Sequence, residues 1–561
     1  MRRATRALTA APAALALVLA GCTAPDETPQ ESPTASSAPP GPTAEPSPEP
    51  TTEDPEPPPP ALAEHGVSAA HPRAVDAGMR ILEQGGTAVD AAIATAFAVS
   101  VVEPFASGIG GGGSAIVAPT GGRPESYDYR EEVGSDGRVP ASGTGIPGFV
   151  AGMAELHEQH GEVAWEDLLD PAVALAEDGF EVSDFLALRM RSDYGPGAVG
   201  SLGQFAPGGA LLEAGERLVQ EDLATTLRAI AADGSRAFYE GALAGELARV
   251  EGIDAAALAG YETVRSDPVS GQVGDYEVVS AAPALPGAAL VQMLQVAESG
   301  GAGEVSPSSA DYVETLSRAW LVAEETANTV MGDPAFVEVP VEELTDPGAN
   351  ADRAAQVISA PSSAMREPAP PQGVTAGNTT HLTVVDSDGL MVSMTNTLTN
   401  FWGSGDMVAG FFLNNQLSRF EAISSTANTP EAGRRSVSWS LPTVVLDAEG
   451  RPVLGIGSPG GRQIPNILAT VITRWALHGQ SLEEAVAAPR FILDGTVLVT
   501  ERQPPAEVTS QLNALGWSVE VVPAADAVFG SVQALEVDHE SGQVRGAADE
   551  RREADVEIAE P

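Results

Sequence analysis

No lysine occurs anywhere in the chain: all 29 basic residues are arginine, set against 78 acidic ones, for a formal net charge of −49. An acidic excess of that size argues against a nucleic-acid partner, because phosphate contacts need a basic face. It does not exclude an anionic small molecule, because single arginines suffice to define a pocket. Without lysine, a Walker-type phosphate loop is excluded as well. Cysteine occurs once, as Cys22, so no internal disulfide can form. The seven histidines are scattered, and His157 and His160 stand three residues apart rather than the four of a zinc-binding helix. No metal or other cofactor is expected. Ser458 follows Ile456-Gly457 and lacks the Gly-x-Ser-x-Gly of a nucleophile elbow.

The N-terminus reads as an address. Arg2, Arg3 and Arg6 precede an apolar run, Leu8 to Leu19, that is too short for a membrane span. Leu19-Ala20-Gly21-Cys22 resembles a bacterial lipobox, so residues 1–22 are expected to be a lipoprotein signal peptide with Cys22 as lipid acceptor. Residues 23–62 are largely Pro, Glu, Ser and Thr and are expected to form a disordered tether. The expected location is extracytoplasmic, at the cell membrane, with the lipid as the only anchor.

Folded sequence is expected from residue 63. Helical patterning covers residues 71–84, 88–102, 150–159, 165–178, 218–232, 242–250, 288–298 and 311–329. Residues 88–102 are apolar nearly all round, as in a helix buried within a large domain. Gly108, Gly110 and Gly113 formally make Gly-x-Gly-x-x-Gly, but a helix precedes them and a strand follows, the reverse of a dinucleotide site. These glycines are expected to serve close backbone packing or to bring backbone donors near a site. Residues 352–376 are polar with several prolines and read as an exposed connection. Two alternating runs follow, 379–385 and 390–398, joined by Asp386-Ser387-Asp388-Gly389, and they predict a hairpin. Further strands are predicted at 442–446, 453–456, 517–522 and 532–537.

With serine and thiol chemistries unsupported, a threonine nucleophile remains. Its hydroxyl needs a base, and its own α-amino group serves once free, with an ordinary pKa of about 7.7–8.0. Freeing that amine requires a cut directly before the threonine. A long connection ending at a hydroxyl that opens a core strand, as at Asn378-Thr379, meets the requirement.

Several motifs then occur in order: Gly85-Gly86-Thr87-Ala88-Val89-Asp90, Val102-Glu103-Pro104, Ser107 to Gly113, Asp128-Tyr129-Arg130-Glu131 and Gly145-Ile146-Pro147-Gly148. Thr379-Thr380-His381, Leu413-Asn414-Asn415-Gln416, Gly457-Ser458-Pro459-Gly460-Gly461, Ala488-Pro489-Arg490-Phe491 and Gly546 to Arg552 continue the series. Together they make the chain, from His65 to Arg552, resemble the γ-glutamyltranspeptidase (glutathione hydrolase) family of N-terminal nucleophile hydrolases. The resemblance implies an αββα sandwich formed by autocleavage between Asn378 and Thr379. A large subunit, 63–378, and a small subunit, 379–561, would make one intertwined catalytic domain and be each other's partners. Thr379 would be the nucleophile, and Thr397 the threonine that hydrogen-bonds it. Gly460 and Gly461 would supply the oxyanion-hole N–H groups. Arg130 would grip the substrate α-carboxylate with Ser438 assisting, and Gln416 would lie near the substrate amino group. The implied reaction cleaves γ-glutamyl amides and passes the acyl group to water or an amine.

The departures from the family pattern fall on the donor pocket. Thr399 stands where the family has asparagine, Trp439 where it has a second serine, and Arg419 where it has the aspartate that binds the α-ammonium. At roughly 4 Å and an effective dielectric near 20, two cations repel by about 4 kcal/mol. A glutaryl-type or poly-γ-glutamate acylase of the same family therefore stays open, as does a catalytically silent lipid-anchored binding protein.

Overall fold

The structure, a computed structural model, describes residues 61–192, 194–358, 378–523 and 528–561; Cys22, the signal peptide and all but the last two residues of the segment read as tether lie outside them. The folded body begins slightly inside that segment. Leu62 is buried, and its N–H donates to the Ser387 carbonyl at 2.7 Å.

Two antiparallel sheets form the centre. The first runs in spatial order Asp555–Ala559, His65–Ala69, Thr380–Val385, Met391–Thr397, Gly112–Ala118, Glu125–Asp128, Val264–Ser266. The second runs Gln543–Gly546, Gln533–Asp538, Pro452–Gly457, Thr443–Leu446, Tyr276–Ser280, Val269–Val273. Side-chain alternation assigns the layers. Ala115 and Val117 pack with the helices Pro72–Glu83 and Ala88–Val102, whereas Ile116 and Ala118 join Val279, Val444 and Leu535 between the sheets. On the second sheet, Val445 and Ile456 face the helices Gly287–Ser299, Ala310–Thr329 and Ile464–Ala476. The order is helix, sheet, sheet, helix, as the resemblance implies.

The helix Ala88–Val102 is buried along its whole length and opens with a capping box between Thr87 and Asp90. It stops at Glu103, the residue before Pro104, where a following proline disfavours helical geometry. The sheets approach closely where the second one lacks side chains. A Cβ on Gly457 would lie 2.2 Å from His381 Cε1, and one on Gly455 would lie 2.5 Å from Thr383 Cγ2.

Most expected helices are present within a few residues of their predicted bounds, and the hairpin is Thr380–Val385 with Met391–Thr397. One expectation is corrected. Residues 352–357 are not connection but the end of a helix, Pro347–Val357, capped by the Asp346 side chain. Its polar exposed face hid the helical period. The rest of that connection, 359–376, lies outside the described residues.

The C-terminal segment is pinned by buried charge. Arg490 meets Asp549 at 2.6 Å, and Arg551 meets Asp549 at 3.1 Å and Glu501 at 2.7 Å. The Val532 N–H also donates to Asp549, at 2.7 Å. Burial by itself would raise the Asp549 carboxyl, but Arg490 and Arg551 hold it below the usual carboxylate range. Asp549→Ala leaves two buried cations short of a counter-charge and is expected to cost about 3–5 kcal/mol in urea unfolding. The depressed folded-state pKa means that this contribution is present above the ordinary value of about 3.9 and is lost as pH falls through the folded value. The stability gap between wild type and variant should therefore close on acidification.

Candidate active site

The hairpin register builds the centre of the site. Ser393 lies opposite Thr383, Thr395 opposite His381, and Asn396 opposite Thr380. One step further sets Thr397 against Thr379, and alternation turns both inward between the sheets. Their Oγ1 atoms are 3.0 Å apart. Thr379 is 5% exposed and has φ +111°, a region that strains a β-branched residue. Asn378 is buried beside it.

A single hydrogen-bond chain runs outward from this pair. The Thr399 N–H donates to Thr397 Oγ1 at 2.8 Å, and the Thr399 hydroxyl donates to Gln416 Oε1. Gln416 Nε2 donates to Ser436 Oγ at 3.0 Å, and the Ser436 carbonyl accepts from Arg130 Nη1 at 2.5 Å. Arg130 is fully buried, and its Nε and Nη2 grip Asp128 at 2.9 and 2.6 Å. Burial works against the Asp128 charge, but Arg130 and Arg435 hold its pKa below the ordinary value. The structure thus joins Thr379, Thr397, Thr399, Gln416 and Arg130. It does not join Ser438: that residue is buried nearby, but the bonds to Arg130 and Gln416 come from Ser436. The contact to Arg130 is a backbone carbonyl, which no residue-type pattern announces.

Gly460 (φ +149°) and Gly461 (φ +56°) sit just before the helix Ile464–Ala476, in conformations that favour glycine. Neither N–H donates to a backbone carbonyl among the described residues, so both are available at a helix start. Arg419 reaches this point: its Nη2 is 3.9 Å from where a Cβ on Gly461 would be. Arg419 Nε is buried without a partner, and burial brings the guanidinium down to about 10. No carboxylate pairs with it among the described residues. His381 is neutral, pushed down to about 3 by burial, with Nδ1 2.8 Å from Thr395 Oγ1.

The glycine loop serves close packing, as expected. A Cβ on Gly111 would lie 2.3 Å from the Thr397 carbonyl oxygen, and one on Gly113 would lie 2.3 Å from Asn396 Oδ1. Asn414 fastens three motifs together. Its Oδ1 accepts from Gly145 and Gln416 N–H at 2.9 and 3.2 Å, and its Nδ2 donates to the Gly110 and Gly145 carbonyls at 2.9 and 3.0 Å. Sequence reasoning placed Asn414, Ser107 and Arg552 within motifs without a role. Thr380 Oγ1 donates to Ser107 Oγ at 2.9 Å, and Arg552 Nη1 donates to the Thr379 carbonyl at 3.4 Å. Among the described residues, no cluster of three or more His, Cys, Asp or Glu side chains is arranged to hold a metal.

Two stacked sheets between helical layers, with a threonine hydroxyl heading an inner strand, define the N-terminal nucleophile hydrolase fold. Cephalosporin acylase from Bacillus halodurans has this fold, with a TM-score of 0.78 at 24% identity over 90% of this chain and 98% of that one. The family model described as gamma-glutamyltranspeptidase matches residues 74–559. The capsule biosynthesis protein CapD proenzyme of Bacillus anthracis is 37% identical over 491 residues, 87% of this chain and 89% of that one. The glutathione hydrolase proenzyme of Bacillus subtilis is 31% identical over 532 residues, covering 87% and 90%. The acylase ACY 1 proenzyme of a Pseudomonas species is 34% identical over 523 residues, covering 87% and 92%. The chain belongs to the γ-glutamyltranspeptidase family and is an enzyme of its hydrolase and transferase type.

Gly111→Ala should displace the strand that carries Thr397. Misplacement by about 1 Å can cost about a hundredfold in rate, so conversion of the precursor, timed on a denaturing gel, is expected to slow by about that factor. Gly245→Ala, which meets no neighbouring atom, should leave conversion unchanged.

Proposed function

We propose that Thr379 first cuts its own chain and then acts as an N-terminal nucleophile on γ-glutamyl amide bonds. The observation that carries this reading is the 3.0 Å hydroxyl pair of Thr379 and Thr397 at a strained backbone position. In maturation, Thr379 Oγ attacks the carbonyl carbon of Asn378. The C–N bond breaks, the nitrogen takes up the hydroxyl proton and becomes the α-amino group, and Asn378 remains as an ester on Thr379. Water then hydrolyses the ester, leaving a carboxylate on Asn378 and a free hydroxyl on Thr379. The new amine is the base for the second round. A substrate carbonyl replaces that of Asn378, and the N–H groups of Gly460 and Gly461 stabilise the oxyanion, by about 2.7–4 kcal/mol each. Water or an amine then takes the acyl group.

The test is a denaturing gel with N-terminal sequencing of the smaller fragment. A fragment beginning at Thr379 is expected from the wild type and none from Thr379→Ala. An uncut wild-type chain that turns over neither γ-glutamyl-p-nitroanilide nor glutaryl-p-nitroanilide would instead indicate a binding protein.

Arg419 favours a particular donor. A cation beside Gly461 repels an α-ammonium and suits a donor with no free α-amino group, such as a glutaryl amide or an internal unit of poly-γ-glutamate. The name of the acylase ACY 1 relative is consistent with an acylase of this kind. Glutaryl-p-nitroanilide should be turned over faster than γ-glutamyl-p-nitroanilide. Arg419→Asp should shift the ratio of the two kcat/KM values at least about tenfold toward the γ-glutamyl compound, equivalent to about 1.4 kcal/mol. A wild type that prefers the γ-glutamyl compound rejects this donor and leaves the nucleophile unaffected. We further propose that the mature protein is held at the membrane by a lipid on Cys22, on the strength of Leu19-Ala20-Gly21-Cys22. Cys22→Ser should move it from the membrane to the soluble fraction.

A further inference from the structure

The turn that carries Gly460 and Gly461 is fastened from both ends. The two glycines themselves have φ of +149° and +56°, conformations open to glycine and rarely taken by other residues. Within the turn, the Gln463 N–H donates to the Gly460 carbonyl at 3.2 Å. Upstream, the Ser458 hydroxyl donates to the Pro459 carbonyl at 2.7 Å and accepts from the Ser531 N–H at 3.2 Å. A Cβ on Gly530 would lie 2.3 Å from Ser458 Oγ and 2.7 Å from the Pro459 carbonyl oxygen, so Gly530 and Ser531 seat directly on the turn.

Downstream, the fastening is Arg462, the residue directly after Gly461. Its Nε donates to Glu324 Oε1 at 2.7 Å, its Nη2 donates to the same oxygen, and its Nη1 donates to Asp494 Oδ1 at 2.9 Å. Glu324 lies on the helix Ala310–Thr329, and Asp494 ends the strand Phe491–Asp494. One guanidinium thus ties the turn to two separate elements. Its flat side lies over the Trp320 ring at 5.7 Å, and Trp320 packs on Trp439 at 5.9 Å. A surface ion pair would hold little. Here the three side chains are only 17%, 10% and 3% exposed, and the planar fork meets both carboxylates at once, so the geometry is fixed.

We propose that Arg462 is a positioning residue for acyl transfer: bound to Glu324 and Asp494, it fixes the Gly460-Gly461 backbone so that its N–H groups meet the oxyanion. The inference rests on those two N–H groups being the oxyanion donors. Arg462 acts through the backbone and touches no reacting atom. Oxyanion donors act on the transition state and not on the bound ground state. Loosening them therefore lowers kcat and leaves KM in place. A guanidinium that bound the donor directly would instead raise KM when removed.

The experiment uses full-length chain allowed to mature, with rates referred to the amount of fragment that begins at Thr379. The probe is whichever of γ-glutamyl- and glutaryl-p-nitroanilide the wild type turns over faster. Removing one oxyanion donor outright costs about a hundredfold or more, so Arg462→Gln, which loosens both, is expected to lower kcat at least about tenfold with KM within about twofold. Glu324→Gln should lower kcat in the same way by a smaller factor. In the Arg462→Gln background it should cost nothing further, because it acts through Arg462. Glu314→Gln weakens the ion pair with Arg318 on the same helix and reports a purely structural effect, so the folded enzyme should keep its kcat. If Arg462→Gln yields no Thr379 fragment, the kcat and KM of Glu324→Gln decide. A kcat within about twofold of wild type, or a loss confined to KM, overturns the proposal. Gly460→Ala separates the two assignments. Full kcat in Gly460→Ala rejects the oxyanion donors and this inference with them. A loss of about a hundredfold there, beside an unchanged Arg462→Gln, rejects the inference alone.

Discussion

The pairing of Thr380–Val385 with Met391–Thr397 decides where the two paired threonine hydroxyls stand. Because Asn396 lies opposite Thr380, Thr397 meets Thr379, and alternation sends both hydroxyls into the space between the sheets. A slip of one residue would turn Thr397 toward the helical layer and break the pair. The register is held on both sides by backbone contact. Gly111 and Gly113 seat against the Thr397 end of one strand, and Gly455 and Gly457 let the second sheet rest on the other. Side chains at these points would separate the parts, so the site depends on what those positions lack.

A chain whose only permanent cation is arginine uses it inside the fold. Arg130 and Arg490 are buried and Arg551 is half-buried, and each is matched by a carboxylate at hydrogen-bonding distance. The planar guanidinium satisfies several acceptors at once, which offsets part of the cost of burying the charge. Arg419 differs: it has no carboxylate among the described residues and stands beside Gly461. A guanidinium with a buried, unpartnered Nε and no carboxylate beside it is where an anionic ligand gains most. At the Asn378–Thr379 junction, Arg552 Nη1 donates to the Thr379 backbone carbonyl.

Much of the fold could be read from periodicity, because the strongest patterns come from elements buried on all sides or on one. The apolar run that became Ala88–Val102 and the alternating runs of the hairpin are such cases. The strands Val264–Ser266, Val269–Val273 and Tyr276–Ser280 were not predicted. The first two lie at sheet edges, are partly exposed and carry polar residues or glycine, so the two-residue period is faint. The helix Pro347–Val357 buries only Asn350 and Ala354, too few to mark a face. At the site, the threonines, Gln416 and Arg130 were found through their motifs. Ser436, which links Gln416 to Arg130, was not singled out, because its contact to Arg130 is made by a carbonyl, and every residue has one.

By itself the sequence determined the residue types available: no thiol or lysine nucleophile in the folded part, a threonine at the head of an alternating run, adjacent glycines at 460 and 461, and an arginine at position 419. These are properties of residue types at positions, and they survive without coordinates. Only the tertiary structure decided which groups meet. Thr379 to Arg130 became one hydrogen-bonded line, Arg419 was brought beside Gly461, and Arg552 was brought to the Thr379 carbonyl. Those pairings join residues far apart in the chain through hydrogen bonds and fields that act over a few ångströms, and the packing of two sheets sets such distances.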